Sequence, residues 1–295
     1  MKYFKPFCYL SAFCAAAGAT FYVKEYMGGG KFESDVRADG KIIVITGANS
    51  GIGKETAREL AKRGAHVYLA CRNMDRCEKT RNEIVSETNN TNVFCRKCDL
   101  SSMKSIREFS KTMHTECKRV DVLINNAGVM RCPLTRTVDG FEMQLGVNYL
   151  GHFLLTNLLL DMLQAAPAGR IVHVSGLAHA RGQIKIDDLN SDMSYDPGEA
   201  YNQSKLANIL FSNVLAKRLE YTKVTSNALH PGIVDTEIMR HMPIFSSEYS
   251  RYFLKVILWP FIKSPVRGAQ TTLHLALHPD LEGVTGKYFS DCKEK

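Results

Sequence analysis

The order of hydrophobic runs predicts an α/β fold: a single doubly wound parallel sheet with helices on both faces, preceded by a short apolar N-terminal anchor. Three observations carry this expectation. Short β-branched runs alternate with stretches of helical periodicity along most of the 295 residues, which is the pattern of repeated βα units. The first of these runs, Lys41–Thr46, empties into the glycine-rich turn Gly47-Ala48-Asn49-Ser50-Gly51-Ile52-Gly53. A chain of this length with 45% hydrophobic residues can bury one large core, and the unbroken series of signals offers no point at which to divide it.

The first thirty residues stand outside that series. Lys2 and Lys5 precede an uncharged run from Phe7 to Val23, which is followed by Lys24-Glu25 and the glycines Gly28-Gly29-Gly30. As a helix the run would span ~25 Å, the short end for crossing a bilayer. A signal-anchor helix, a secretory peptide cleaved around Ala15–Ala19 and an amphipathic or mitochondrial-type leader are all open. The nine cysteines are odd in number and without framework spacing, which argues against secretion and favours the uncleaved anchor. Residues 1–30 are therefore read as an apolar anchor with a glycine hinge, and residues 31–295 as the folded domain.

Within that domain, Lys41–Thr46 reads as a buried strand because five of its six residues are β-branched, and helical periodicity then runs from Lys54 to about Gly64. The strand His66–Cys71 follows, then a helix near Asp75–Glu87, the strand Val93–Cys98, a helix over Met103–Cys117 and the strand Val120–Ile124. A long helix begins near Gly140, the strand Arg170–Ser175 comes next, and a helix opening at Ala200 runs to about Glu220 before the strand Val224–Leu229. Parallel strands joined by helical crossovers place ligands at the carboxyl ends of the strands.

Composition and motifs exclude several classes of function. The net charge is +8, yet basic residues are scattered among acids and no block reaches the length of a nucleic-acid arm. Such a surface favours phosphate-bearing ligands or anionic headgroups. Cys95-Arg96-Lys97-Cys98 has no second pair and lies on a strand, where side chains alternate; no metal site is expected. Asp187-Asp188 diverge as neighbours, and neither H-E-x-x-H nor G-x-S-x-G is present.

Gly47, Gly51 and Gly53 suit a phosphate turn, because glycine permits positive φ and close backbone approach where a helix N-terminus offers free N–H groups. Asn49 and Ser50 add donors. At the end of the second strand stands Arg72 with no carboxylate beside it. A guanidinium there can bond a ribose 2′-phosphate, which argues for NADP(H). Tyr201 and Lys205 lie four residues apart and so share a helix face. A fixed ammonium near a phenol favours the phenolate, making Tyr201 a candidate general acid or base.

With these residues in hand, the chain resembles the short-chain dehydrogenase/reductase family from about Gly40 to Phe289. Thr46–Gly53 resembles the family's cofactor turn, Asp99-Leu100 its adenine-side motif and Asn125-Asn126-Ala127-Gly128 its cofactor-proximal motif. Asn148 matches the catalytic asparagine, Tyr201-x-x-x-Lys205 the catalytic pair, and Pro231-Gly232 with Thr236 the nicotinamide-side loop. Arg131-Cys132-Pro133, Phe141–Gln144, Leu206-Ala207-Asn208 and Asn227–Gly232 resemble the membrane-associated retinol dehydrogenases in particular. The resemblance implies a Rossmann-type, NADP(H)-dependent oxidoreductase that interconverts a lipophilic alcohol and its carbonyl. It further implies that Lys205 holds the nicotinamide ribose, that Asn148 supports a proton-relay water, and that the protein is membrane-associated, in the mitochondrial inner membrane or endoplasmic reticulum.

The family pattern ends its strand with two serines and uses the second to polarise the substrate oxygen. Here the stretch is Val174-Ser175-Gly176, so Gly176 falls at that position and Ser175 points to the other face if the strand continues. Ser175, Gly176 and His179 are the candidate substrate-side residues. A rival reading follows: a membrane-tethered NADP(H)-binding protein with weak or no catalysis. The apolar segment Tyr252–Ile262, which holds the single tryptophan, is either a core or homodimer helix or a substrate lid resting on the membrane.

Overall fold

Ile42–Thr46 form β1, an inner strand of the sheet. Ile43 and Ile45 enter one hydrophobic layer and Val44 the other, and all three are fully buried, because helices cover both faces of the strand. This computed structural model describes residues 18–238 and 259–295. Eight strands form one sheet in the order β3-β2-β1-β4-β5-β6-β7-β8. Beside β1, the strands β2 (His66–Cys71), β3 (Val93–Lys97), β4 (Val122–Asn125), β5 (Arg170–Val174), β6 (Thr225–His230) and β7 (Tyr288–Ser290) are parallel. The short β8 (Lys293–Glu294) returns antiparallel to β7.

On one face pack α1 (Gly51–Lys62) and α2 (Met74–Thr88), which bury Ala57, Leu60, Cys77 and Ile84. The opposite face receives α3 (Met103–Glu116) with Ile106 and Phe109. α4 starts as Met143–Leu145, passes through a π turn at Gly146–Leu150 and continues as Gly151–Leu158. After the short α5 (Leu160–Gln164) comes α6 (Pro197–Arg218), which joins this second layer through Phe211 and Leu215.

Most expected elements are present within a few residues. α6 begins at Pro197 rather than Ala200 because Asp196 caps it, accepting the Glu199 N–H at 2.7 Å. The strand expected to reach Ser175 stops at Val174. α7 (Pro265–Gly268), α8 (Gln270–Leu277), β7 and β8 have no counterpart in the sequence expectation. Leu273 and Ala276 place α8 in the first layer, completing the cover over that face.

Residues 18–27 are helical and dock on the domain: Lys24 donates to the carbonyls of Trp259 and Ile262, and Glu25 pairs with Arg267. Gly29 and Gly30 press against Asp291, where a Cβ on either would lie 2.1 Å from one of its atoms. Most of the expected anchor lies outside the described residues. Among those described, no helix is long and apolar enough to cross a membrane. The segment Tyr252–Ile262 is also largely outside them, apart from a 3-10 turn at Trp259–Phe261. One disulfide, Cys77–Cys95, joins α2 to β3 among the described residues, a pairing that chain spacing did not signal. Cys98 is buried and free, so Cys95 and Cys98 do not act as a pair.

Candidate active site

A cleft of about 340 Å³ opens at the carboxyl ends of β1 to β4, where the strand order reverses between β1 and β4. Its walls include Gly47, Asn49, Ser50, Gly51, Ile52 and Gly53 from the turn, then Arg72, Asp99, Leu100, Asn126, Ala127, Gly128 and Thr236. Thirteen of the residues singled out in the sequence therefore meet in one place. Gly47 and Gly51 have φ of +65° and +53°, and a Cβ on Gly53 would lie 2.5 Å from Asn126 Nδ2. Side chains are thus excluded by geometry as well as by conformation.

Ser50 is the N-cap of α1 in extended backbone and makes no side-chain cap, and the first turn of α1 contains no acid. The leading N–H groups of that helix stay open toward the cleft, as a pyrophosphate requires. After β2 the chain reads Cys71-Arg72-Asn73, and Arg76 follows in the first turn of α2. Arg76 also lines the cleft and reaches across it to Glu237 at 2.6 Å. The sequence reading missed Arg76 and Glu237. The spacing of Arg72 and Arg76 around a helix start was the available signal for the first.

Tyr201 and Lys205 rise from α6. Lys205 is buried, its Nζ donates to the Val174 carbonyl at 3.1 Å, and it stands 5.7 Å from the Tyr201 ring centroid. Burial pushes Lys205 down to about 8 and Tyr201 up to about 12. Both shifts come from loss of solvent, and the shift at Tyr201 runs opposite to the depression expected from a neighbouring ammonium. The Asn148 side chain is fully engaged: Oδ1 accepts the Val129 N–H at 2.8 Å, and Nδ2 donates to Val129 O and Ser204 Oγ, both at 2.9 Å. Ser204 in turn donates to the Tyr201 carbonyl at 2.7 Å.

The facing wall is the end of β5. Ser175 turns its hydroxyl away and donates to the Lys205 carbonyl at 2.7 Å. Gly176 takes the place beside the phenol: a Cβ there would lie 3.5 Å from Tyr201 Oη, ordinary contact distance. Gly176 is in extended backbone at φ −169°, open to any residue. His179 returns Nδ1 to the Gly176 carbonyl at 2.7 Å and packs edge-on against Tyr288, with ring centroids 4.8 Å apart. Tyr288 is a third residue missed from the sequence, since only the pairing of β7 with β6 brings it here. Thr236 covers Gly51, whereas Pro231 and Gly232 stand outside the described walls of the cleft. Gly232, at φ +89°, packs on Lys263 instead.

Comparison with known proteins accords with this geometry. Residues 41–244 match the family model for short chain dehydrogenase. Retinol dehydrogenase 13 of Homo sapiens is 51% identical over 287 residues, covering 97% of this chain and 87% of its own. Retinol dehydrogenase 12 of Bos taurus is 51% identical over 276 residues, covering 92% and 84%. Among solved structures, an uncharacterized protein from Mycobacterium Paratuberculosis, 36% identical, superposes with a TM-score of 0.69 over 88% of this chain and 84% of its own.

Proposed function

The chain belongs to the short-chain dehydrogenase/reductase family and is an NAD(P)-dependent oxidoreductase, and on that premise we propose that it uses NADP(H) to interconvert a retinol-like lipophilic alcohol and its carbonyl. The observation that carries this reading is the position of Gly128. It lines the cleft, and a Cβ on it would lie 3.3 Å from Asn148 Oδ1 and 3.5 Å from Lys205 Nζ. The inner end of the cleft thus abuts the proton-transfer residues.

The bound dinucleotide supplies or receives the hydride. The Gly47–Gly53 turn and the N-terminus of α1 would hold its pyrophosphate through backbone N–H groups, and Arg72 would bond the 2′-phosphate. Tyr201 donates its phenolic proton to the carbonyl oxygen during reduction and recovers it during oxidation. Lys205, anchored on Val174 O, keeps positive charge beside the phenol as the phenolate forms. Asn148 braces Val129 and the Ser204 turn so that Tyr201 keeps its position. Leu177, 55% exposed next to Gly176, gives the substrate side an apolar lip suited to a lipophilic ligand.

The test is NADPH oxidation against retinal and medium-chain aldehydes, with NADH in parallel. Turnover with NADPH preferred over NADH is expected, and Arg72→Glu is expected to reverse that preference by roughly 10- to 100-fold, the scale of a charge-assisted bidentate contact. Equal use of NADH would remove the 2′-phosphate assignment. Tight NADPH binding with no turnover of any aldehyde would favour the rival reading, a cofactor-binding protein disabled at Gly176.

A further inference from the structure

Behind the glycine turn lies a buried polar chain whose central members, Thr46 and His152, have no part in the proposed chemistry. Thr46, the last residue of β1, accepts the backbone N–H groups of Asn126 at 2.9 Å and Ala127 at 3.0 Å on its Oγ1. A hydroxyl oxygen has two lone pairs and one proton. With both lone pairs taken, the proton is directed to Nε2 of His152 at 2.8 Å, since the alternative acceptor, Ile124 O, is 3.4 Å away. Nε2 is then an acceptor, so the neutral ring carries its hydrogen on Nδ1, which faces the Asn148 carbonyl at 3.0 Å. The opposite tautomer would crowd a third donor onto Thr46 and set a bare Nδ1 against a carbonyl oxygen. Thr46, Asn148 and His152 are all buried, where such mismatches are costly.

The two ends of this chain lie in different parts of the site. Asn126 and Ala127 line the cofactor cleft. Asn148 sits in the π turn of α4 and braces Ser204, whose hydroxyl holds the Tyr201 carbonyl. We infer that His152 is a positioning residue that ties the cofactor cleft to the proton-transfer wall: Nε2 fixes the Thr46–Asn126–Ala127 junction, and Nδ1–H fixes the turn that carries Asn148. This inference rests on the oxidoreductase reading above, and it specifies which contact serves which half of the reaction.

Two conservative variants separate the halves. An asparagine side chain can reach a carbonyl four residues back, as Asn157 Nδ2 does to Phe153 O at 2.7 Å in the same helix. His152→Asn therefore keeps the donor to Asn148 and releases Thr46, whereas His152→Gln keeps an acceptor near Thr46 and releases Asn148. His152→Asn is expected to weaken NADPH binding about tenfold with kcat within about twofold, and His152→Gln to do the reverse, the scale of lost outer contacts that orient a site. Parallel losses in both variants, or no loss in either, would overturn the inference in favour of simple packing. Proton–nitrogen correlation NMR of the cofactor-free chain supplies a readout independent of turnover. The His152 ring is expected to be neutral with its proton on Nδ1 at pH 6, and to lose that preference in Thr46→Val. A proton on Nε2 would overturn the clamp even if the enzyme turns over, and the Nδ1 form would sustain it even if no substrate is found.

Discussion

The two walls of the site, the α6 helix and the end of β5, meet within contact distance, yet they carry different chemical content. α6 presents Tyr201 and Lys205 and is held at its start by the Asp196 cap and along its length by the second core layer. The end of β5 presents Gly176, with no side chain, while the neighbouring Ser175 hydroxyl is spent on the Lys205 carbonyl. One wall supplies the titrating groups and the other supplies space. On the proposed mechanism, the proton-transfer pair is in place while the side chain opposite it is missing, and the two contributions can be measured separately.

The largest effect is expected on the helix wall. Tyr201→Phe removes the phenol beside Gly176 while keeping the ring that packs against Lys205. Turnover is expected to fall by roughly 10³- to 10⁴-fold, the upper range for a general acid, with NADPH affinity little changed. Steady-state kinetics with a fluorescence titration of NADPH checks both. Retained turnover would show that the proton comes from elsewhere and would break the assignment of roles to the two walls.

The helix wall was also the more legible in the sequence. A tyrosine and a lysine four residues apart determine their own relation, because α-helical spacing is local. The glycine turn was readable for the same reason, since a strand, three glycines and a helix start follow one another in the chain. What escaped were features created by distant residues. Tyr288 reaches His179 only because β7 pairs with β6, and the tautomer of His152 is dictated by Thr46, 106 residues away. The π turn at Gly146–Leu150 left no periodic trace in the sequence, and the brace from Asn148 to Ser204 depends on it. Asp196-Pro197-Gly198-Glu199 is the exception: this capping pattern was visible in the chain, and reading it would have placed the start of α6 correctly.

Charge burial provides the next test of the same wall. Lys205 is held at about 8 rather than the ordinary 10.5, so between these values the unfolded chain binds more protons than the folded one. Stability should therefore rise as pH climbs from about 8 to 10.5, and the cost of the buried ammonium is fully present below 8. A difference of this size is worth about 3 kcal/mol. Lys205→Met is expected to abolish turnover yet to be more stable than the parent at pH 7 by up to that amount, less the lost bond to Val174 O. Urea unfolding at pH 7 and pH 9.5 checks this, with the parent gaining stability at the higher pH relative to the variant. A variant less stable at pH 7 would show that Lys205 holds the two walls together rather than straining them.

The smallest expected effect falls on the strand wall and decides what the missing side chain means. A Cβ at Gly176 would meet nothing closer than Tyr201 Oη at 3.5 Å, and the backbone at φ −169° accepts serine without strain. Gly176→Ser should therefore fold with unchanged stability and place a hydroxyl beside the phenol, where it can donate to the substrate oxygen. A preorganised donor to a developing oxyanion is worth up to 10²–10³ in rate where it is well aligned. Since the new hydroxyl is free to rotate, a gain in kcat of roughly tenfold is expected, with KM for small aldehydes unchanged. If kcat instead stays level and KM for bulky retinoids rises, the glycine is there for substrate volume and polarisation comes from elsewhere on the wall. The two outcomes separate along kcat and KM, so a single variant assayed with one small and one bulky aldehyde distinguishes a lost donor from a widened binding site.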